Sequence, residues 1–157
     1  MDPQARKIAL KMISYGVYIL TSKIDSEISA ATVTWVSQAS FEPPMLSVCI
    51  KRNSASYLVV RKRGEFILHM LSEKQKKLAE SFLKPSKIKQ GRINDECYEL
   101  KDDLPIITSA PSYIRCSVVE ILENGDHPLF LAKVKEVTVI DNLPPLELRK
   151  TGWSYGG

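Results

Sequence analysis

The chain has 157 residues, which is enough for one domain with a hydrophobic core. Apolar residues make up 44% and charged residues 25%, the balance of an ordinary globular protein rather than a disordered one. The net charge is only +4 and the basic residues are mostly dispersed, which argues against a nucleic-acid partner.

Targeting and metal-binding patterns are missing as well. No apolar run approaches the about 20 residues that a membrane-spanning helix needs, and residues 1–4 lack the basic-then-apolar layout of a signal peptide. The three cysteines lie far apart and form no Cys-x-x-Cys pair, so we predict reduced thiols and no metal site. These observations predict a cytoplasmic protein without a membrane partner, folded as a single domain over residues 1–157.

The first third of the chain predicts one helix and three strands. Asp2 and Pro3 can cap and start a helix. Residues 15–22 are rich in β-formers and predict the first strand. Residues 31–36 alternate between two kinds of side chain and predict a strand with two different faces. The apolar run 45–50 predicts a third strand.

The middle of the chain predicts two short helices around a strand. Ser54 is a candidate N-cap for a helix that Gly64 ends. Residues 66–71 form a short apolar run and predict a strand. Residues 72–75 have the spacing of a capping box, and Pro85 ends the helix that follows.

The last part of the chain is β-like again. Residues 86–103 are polar and predict an irregular surface segment. Residues 113–122 and 129–140 predict two long strands, joined by a turn at Asn124 and Gly125. Short strands dominate and the βαβ alternation of a doubly wound sheet is absent, so we predict a mainly β fold. A closed or nearly closed antiparallel barrel with a few peripheral helices fits best.

The sequence contains few groups for acid–base chemistry. It has only two histidines, and it lacks the Gly-x-Ser-x-Gly, His-Glu-x-x-His and phosphate-loop motifs. His69 lies in an apolar strand and is predicted to be a hydrogen-bonded strand residue rather than a base. His127 follows Asn124-Gly125-Asp126, so a turn can present it at the rim of a site. A solvated turn histidine is the alternative reading.

Two neighbouring segments suit an anionic, aromatic ligand. Hydroxyl and amide side chains, which can bind phosphate oxygens and the edge of a heteroaromatic ring, occur at Thr32, Thr34, Ser37, Gln38 and Ser40. Lys51 and Arg52 precede a helix that opens with Asn53 and Ser54, and a helix N-terminus favours an anion. A hydrophilic strand face with an ordinary N-cap explains the same residues, and composition alone does not separate the two.

The chain resembles the flavin reductase-like family of FMN-binding split barrels. The most specific match is Trp35-Val36-Ser37-Gln38-Ala39-Ser40-Phe41 followed by Pro43-Pro44. The other matching segments are 15–22, 64–66, 82–85, 125–127 and 149–152 with Tyr155. Within this family the chain is most similar to flavoredoxin and to the flavin-reductase modules of diflavin flavoproteins and high-molecular-weight rubredoxins. It departs from the family at His69, where Asn is common, and at Ala132, where Gly is common.

The resemblance implies a homodimer of six-stranded antiparallel Greek-key split barrels, with FMN near the subunit interface. It implies that the isoalloxazine ring is lined by Thr32, Val33, Thr34 and Trp35. It implies that the ribityl and phosphate groups are held by Ser37, Gln38, Ala39 and Ser40. It implies that the phosphate site is completed by Lys51, Arg52, Asn53 and Ser54, with Tyr57 nearby. His127 is expected on the electron-donor side of the ring.

The resemblance therefore implies an FMN-dependent oxidoreductase similar to NAD(P)H:flavin reductases. FMN is the expected cofactor, with FAD as the alternative and NADH or NADPH as the donor. Two other readings stay open. The protein can hold FMN tightly and relay electrons between proteins such as rubredoxin or ferredoxin, or it can bind flavin without turnover.

Overall fold

The computed structural model describes all 157 residues and is mainly β. The four helices are α1 (Pro3–Lys11), α2 (Ala55–Arg63), α3 (Lys76–Ser81) and α4 (Leu148–Thr151). The first five strands are β1 (Tyr18–Ile24), β2 (Glu27–Val33), β3 (Val36–Ser40), β4 (Met45–Cys49) and β5 (Glu65–Met70). The remaining strands are β6 (Ile88–Lys89), β7 (Arg92–Ile93), β8 (Glu96–Lys101), β9 (Leu104–Ile107), β10 (Ser112–Leu122) and β11 (Leu129–Val139).

The strands form one large and one small antiparallel sheet. The large sheet has seven strands in the order β2-β1-β5-β10-β11-β4-β3, and the small sheet has four in the order β6-β7-β8-β9. The resemblance implied six strands, and the structure corrects that count for the large sheet. β2 ends at Val33, before the predicted end at residue 36, because the chain turns at Thr34 and Trp35, where Val36 N–H donates to the Thr34 carbonyl at 3.1 Å, and β3 follows this turn. β2 and β3 thus lie at opposite edges of the sheet although they follow each other in the chain.

The prediction of an irregular segment over residues 86–103 is wrong. This segment contains β6, β7 and β8, joined to each other and to β9 by two-residue turns. The turn residues take the left-handed conformations that such hairpin turns require, with positive φ at Gln90, Gly91, Asn94, Asp95, Asp102 and Asp103. The strands themselves are too short and too polar to produce a detectable hydrophobic alternation.

The local signals that predict the two ends of α2 are confirmed, whereas α3 covers only Lys76–Ser81 and so begins after the predicted start at Ser72 and ends before Pro85. Ser54 Oγ accepts the Tyr57 N–H at 3.2 Å, and Gly64 ends α2 in the left-handed conformation at φ 75°. At α3 only half of the predicted capping box forms, because Gln75 Oε1 accepts the Ser72 N–H while the Ser72 side chain caps nothing. No helix in the structure combines the length and the apolar character that crossing a lipid bilayer requires.

The core has two main parts, one on each face of β1. Ile19 faces α3 and the small sheet, where it packs with Leu71, Phe82 and Ile107. The other part lies between the large sheet and α2 and contains Leu20, Val48, Val60, Phe66, Leu68 and Phe130. Because successive strand side chains point to opposite faces, β1 joins both parts and is buried on both sides.

His69 lies on β5 and connects the two sheets. It is fully buried, its Nδ1–H donates to the Ile19 carbonyl at 3.0 Å, and its Nε2 accepts the Ile107 N–H at 3.0 Å. Both ring nitrogens are therefore paired with backbone groups in the neutral form. The prediction of a hydrogen-bonded strand histidine is confirmed.

Candidate functional site

A cavity of about 800 Å³ opens where β2 ends and α2 begins. It is lined by residues 30–35, 49–51, 54–56 and 82–86, by His127 and Leu148, and by residues 153–155. Its lining contains apolar side chains such as Val33, Ile50 and Phe82, with polar groups at its ends. Such a site suits a flat aromatic ligand that carries an anionic group.

The cavity contains about half of the residues predicted for a cofactor site. The predicted residues that line it are Thr32, Val33, Thr34, Trp35, Lys51, Ser54 and His127. The predicted residues outside its lining are Ser37, Gln38, Ala39, Ser40, Arg52, Asn53 and Tyr57. β3 leaves the cavity after Trp35, so Ser37, Gln38 and Ala39 are exposed on the far edge of the sheet.

Tyr57 and Arg52 are used elsewhere in the structure. Tyr57 is buried in the core against Phe130, at 5.9 Å between ring centroids, and its hydroxyl contacts Glu123 and Arg61. Arg52 holds the turn between β10 and β11. Its main-chain N–H donates to the Asp126 carbonyl at 2.8 Å, and its guanidinium donates to the carbonyls of Gly125 and Glu123.

Arg52 thereby shapes the turn that presents His127. The predicted strand ends at residues 122 and 129 are confirmed, because the last paired residues are Leu122 and Leu129, and the loop between them has six residues, more than a two-residue hairpin turn. Gly125 does not need a positive φ in this wider loop. Because Arg52 binds its carbonyls, the loop is fixed at the cavity rim and His127 lies in the cavity wall.

Thr34 presents a polar atom without a partner. Its side chain is 9% exposed and lines the cavity, yet its hydroxyl makes no hydrogen bond in the protein. By contrast, the nearby Thr32 hydroxyl donates to the Ala79 carbonyl at 2.6 Å. A buried hydroxyl without a partner costs about 1–3 kcal/mol, and this oxygen has less than 1 Å² of accessible surface, so only a rotation of the side chain would turn it towards the cavity.

The part of the cavity wall at the start of α2 suits an anion. The first turn of α2 opens into it through Ser54, Ala55 and Ser56. The first N–H groups of a helix have no partners inside the helix, and their dipoles favour negative charge. Lys51 lies beside this helix end in the same lining and adds a positive charge. The combination suits a phosphate group.

His127 stands in a small aromatic cluster. Its ring centroid lies 4.7 Å from that of Trp35, and its Nε2 accepts the Tyr155 hydroxyl at 2.5 Å. Its Nδ1–H donates to Asp126 Oδ1 at 3.0 Å. This hydrogen bond holds the pKa of Asp126 below its usual range, and burial raises the pKa of Tyr155. The pair of hydrogen bonds fixes the orientation of the imidazole.

Two parts of the lining were missed at the sequence level. The loop after α3 supplies Phe82, Lys84 and Ser86, and the C-terminal residues supply Trp153 and Tyr155. Both segments contain residues that match the family, but the match did not indicate a role for them. No group of three or more metal-binding side chains is assembled anywhere in the chain.

The family model for the flavin reductase like domain matches residues 10–153. The chain belongs to the flavin reductase-like family. It is 32% identical over 121 residues to the reductase component of 4-nitrophenol 4-monooxygenase/4-nitrocatechol 2-monooxygenase from Rhodococcus opacus, covering 77% of this chain and 64% of that protein. It is 29% identical over 153 residues to diflavin flavoprotein A 1 from Synechocystis sp., covering 94% of this chain and 26% of that protein. The chain thus spans between a quarter and two thirds of the length of these curated relatives.

Solved structures share the fold. The styrene monooxygenase flavin reductase from Pseudomonas putida S12 superimposes with a TM-score of 0.77 at 21% identity, over 96% of this chain and 94% of that one. The flavin reductase PheA2 superimposes with a TM-score of 0.78 at 23% identity, over 94% of this chain and 93% of that one. The chain is therefore a flavin reductase-like domain in both sequence and fold.

Proposed function

We propose that this chain is an FMN-binding oxidoreductase that transfers hydride or electrons in the manner of NAD(P)H:flavin reductases. The observation that supports it is a single cavity that combines apolar walls at Val33, Ile50 and Phe82 with an anion-binding end at Lys51 and α2. Flavin reductases among the relatives and structural neighbours add support. FMN is preferred to FAD because the site offers one anion-binding end.

The residues of the chain fit a bound flavin. The apolar walls at Val33, Ile50 and Phe82 suit the isoalloxazine ring and exclude water from it. After a rotation of its side chain, the Thr34 hydroxyl can donate to the polar edge of the ring. When bound, FMN supplies the hydride and electron chemistry, which the polypeptide lacks. His127 lies in the cavity wall beside residues 50–52, which donate hydrogen bonds to the carbonyls of Pro128 and Asp126, and is proposed to face the electron donor.

Anaerobic mixing tests the function directly. The purified protein should retain or bind FMN with the visible spectrum of oxidised flavin, and NADH or NADPH should bleach that spectrum within the mixing time of a kinetic experiment. Comparing titrations with FMN and FAD determines the flavin preference. A protein that binds neither flavin contradicts the proposal.

An electron-relay function is the second candidate, favoured by the relative among diflavin flavoproteins, in which the similar region is only 26% of the length. In this case the bound FMN is reduced by a protein such as rubredoxin or ferredoxin, and neither NADH nor NADPH bleaches it. A third outcome, stable FMN binding without reduction by any donor, identifies a binding module. The cytoplasmic location stays a prediction.

A homodimer is also proposed. Apolar side chains are exposed at the end of β11 and just beyond it, at Val137, Val139, Ile140 and Leu143. Clustered exposed apolar residues mark protein interfaces more often than isolated ones. We expect sedimentation velocity to give the mass of a dimer and Val139→Lys to shift it towards the monomer. A monomeric wild-type chain at micromolar concentration contradicts this proposal.

Thr34→Val should separate flavin binding from stability. Valine has the shape of threonine but lacks the unpaired hydroxyl, so the flavin-free protein should be as stable as wild type or more stable by about 1 kcal/mol. FMN affinity should fall by about 5- to 10-fold because one hydrogen bond to the ring is lost. Calorimetric titration and thermal unfolding measure the two effects. Thr34→Ser, which keeps the hydroxyl, should retain most of the affinity, and equal affinity in Thr34→Val would show that the hydroxyl does not touch the flavin.

His127→Ala should slow reduction more than it weakens FMN binding. We expect the rate of reduction by NADH to fall by about 10-fold or more, because the donor loses a positioning group. The dissociation constant of FMN should change less than about 3-fold. Stopped-flow absorbance and equilibrium titration give the two values. Equal losses in both would remove the proposed donor-side role.

A further inference from the structure

The C-terminal segment, residues 152–157, is a thin wall with open space on both sides. Trp153, Ser154 and Tyr155 line the large cavity. The same three residues line a second hollow of about 190 Å³, which also touches Lys11, Ile13, Tyr15, Leu148 and Arg149. The second hollow is open to solvent, so part of the outer side of the segment is not packed against other residues.

The C-terminal segment is attached mainly at its start. Thr151 is buried, and its hydroxyl donates to the Leu148 carbonyl at 2.7 Å and accepts the Trp153 N–H at 3.0 Å. Gly152 then ends α4 in the left-handed conformation at φ 76°. Beyond Trp153, the segment is held by one hydrogen bond, from the Tyr155 hydroxyl to His127 Nε2, and by packing of Gly156 against Trp35 and of Gly157 against Lys7 and Lys11 of α1. Segments with so few contacts open at low cost in free energy.

In its present position the segment closes the donor side of the cavity. The Tyr155 ring lies 5.5 Å from that of Trp35, and Gly156 lies against the Trp35 indole. His127 has both ring nitrogens engaged, one by Asp126 and one by Tyr155. A donor molecule therefore cannot hydrogen-bond to His127 Nε2 until Tyr155 moves away.

We propose that residues 152–157 form a gate over the donor side of the flavin site, and that the Tyr155–His127 hydrogen bond is its latch. The gate is closed in this structure and swings outward about Gly152, towards the second hollow, when the electron donor enters. This proposal rests on the proposed flavin function for its purpose, but the movement itself is a property of the flavin-free chain.

The movement can be tested without flavin. The chain has two tryptophans, so Trp153→Phe leaves Trp35 as the only tryptophan reporter beneath the gate. In that background we expect Tyr155→Phe to raise the acrylamide quenching constant of Trp35 by about 2-fold, because the latch is lost. A chain that ends at Ser154 should raise it further. Tyr15→Phe is the matched control, since Tyr15 also lies near Trp35, at 6.3 Å, and its hydroxyl makes no hydrogen bond; it should leave quenching unchanged.

The link to turnover is tested on the FMN-loaded protein. Tyr155→Phe should raise the second-order rate constant for reduction by NADH by about 3- to 10-fold while the FMN dissociation constant stays within about 2-fold. Unchanged quenching in both Tyr155→Phe and the shortened chain overturns the gate. Raised quenching with slower reduction also overturns it, because Tyr155 is then a fixed part of the site. Failure to bind FMN contradicts the proposed function and leaves the quenching result valid.

Discussion

Ser54→Asp is expected to weaken FMN binding by about 100-fold while the protein stays folded. Asp is as good an N-cap as Ser, so it can still accept the Tyr57 N–H at the start of α2. Its carboxylate, however, occupies the helix end that the phosphate needs and repels the phosphate charge. Ser54 lines the cavity beside Lys51, so the repulsion acts at short range. The dissociation constant from fluorescence titration of FMN is the measurement.

Ser54→Asn is the matched control for this prediction. It has the size and capping ability of Asp without the charge, so FMN affinity should stay within about 5-fold of wild type. Riboflavin, which lacks the phosphate, should bind both variants alike. If Ser54→Asp binds FMN normally, the phosphate does not lie at α2. Loss of binding in Ser37→Asp combined with Ser40→Asp would then place it along β3, where the family resemblance implied it.

Local signals in the sequence predicted the parts of the fold that depend on neighbouring residues. Ser54 and Gly64 mark the two ends of α2, because capping depends only on the adjacent backbone. The small sheet was missed because its strands have as few as two residues, and because Asn94-Asp95 and Asp102-Asp103 take the positive φ values more often supplied by Gly. Because these turns lack Gly, the sequence around them does not contain the usual signature of a two-residue hairpin turn.

The predicted residues that line the cavity lie on two nearby segments of the chain, with His127 as the one distant residue among them. Residues 32–35 and the start of α2 are close in sequence, and both were found. Tyr155 is distant in sequence, and only tertiary packing brings it to His127. Arg52 illustrates the opposite error. Its charge suggested a phosphate ligand, but the β10–β11 turn offers carbonyls that bind the guanidinium first.

His69 is expected to make the protein unstable in mild acid. Burial, slightly offset by the hydrogen bond to the Ile19 carbonyl, lowers its pKa from 6.5 to about 4. Protonation of Nε2 would also set an N–H against the Ile107 N–H that this atom now accepts. The unfolded chain therefore takes up a proton near pH 6.5, whereas the folded chain does so only near pH 4. Stability from this group is complete above pH 6.5 and is lost as the pH falls towards 4, by about 3 kcal/mol.

Urea unfolding of the flavin-free protein between pH 4 and 7.5 measures this loss. His69→Gln removes the titrating group, so it should be less stable than wild type at pH 7 by about 2–4 kcal/mol because the two backbone partners lose their fit. The unfolding free energy of His69→Gln should then fall less steeply than that of wild type as the pH is lowered. The two free energies should converge towards pH 4. If the unfolding free energies of wild type and His69→Gln fell in parallel with pH, His69 would have the same pKa in the folded and the unfolded chain. That result would contradict the buried, neutral His69 that joins the two sheets.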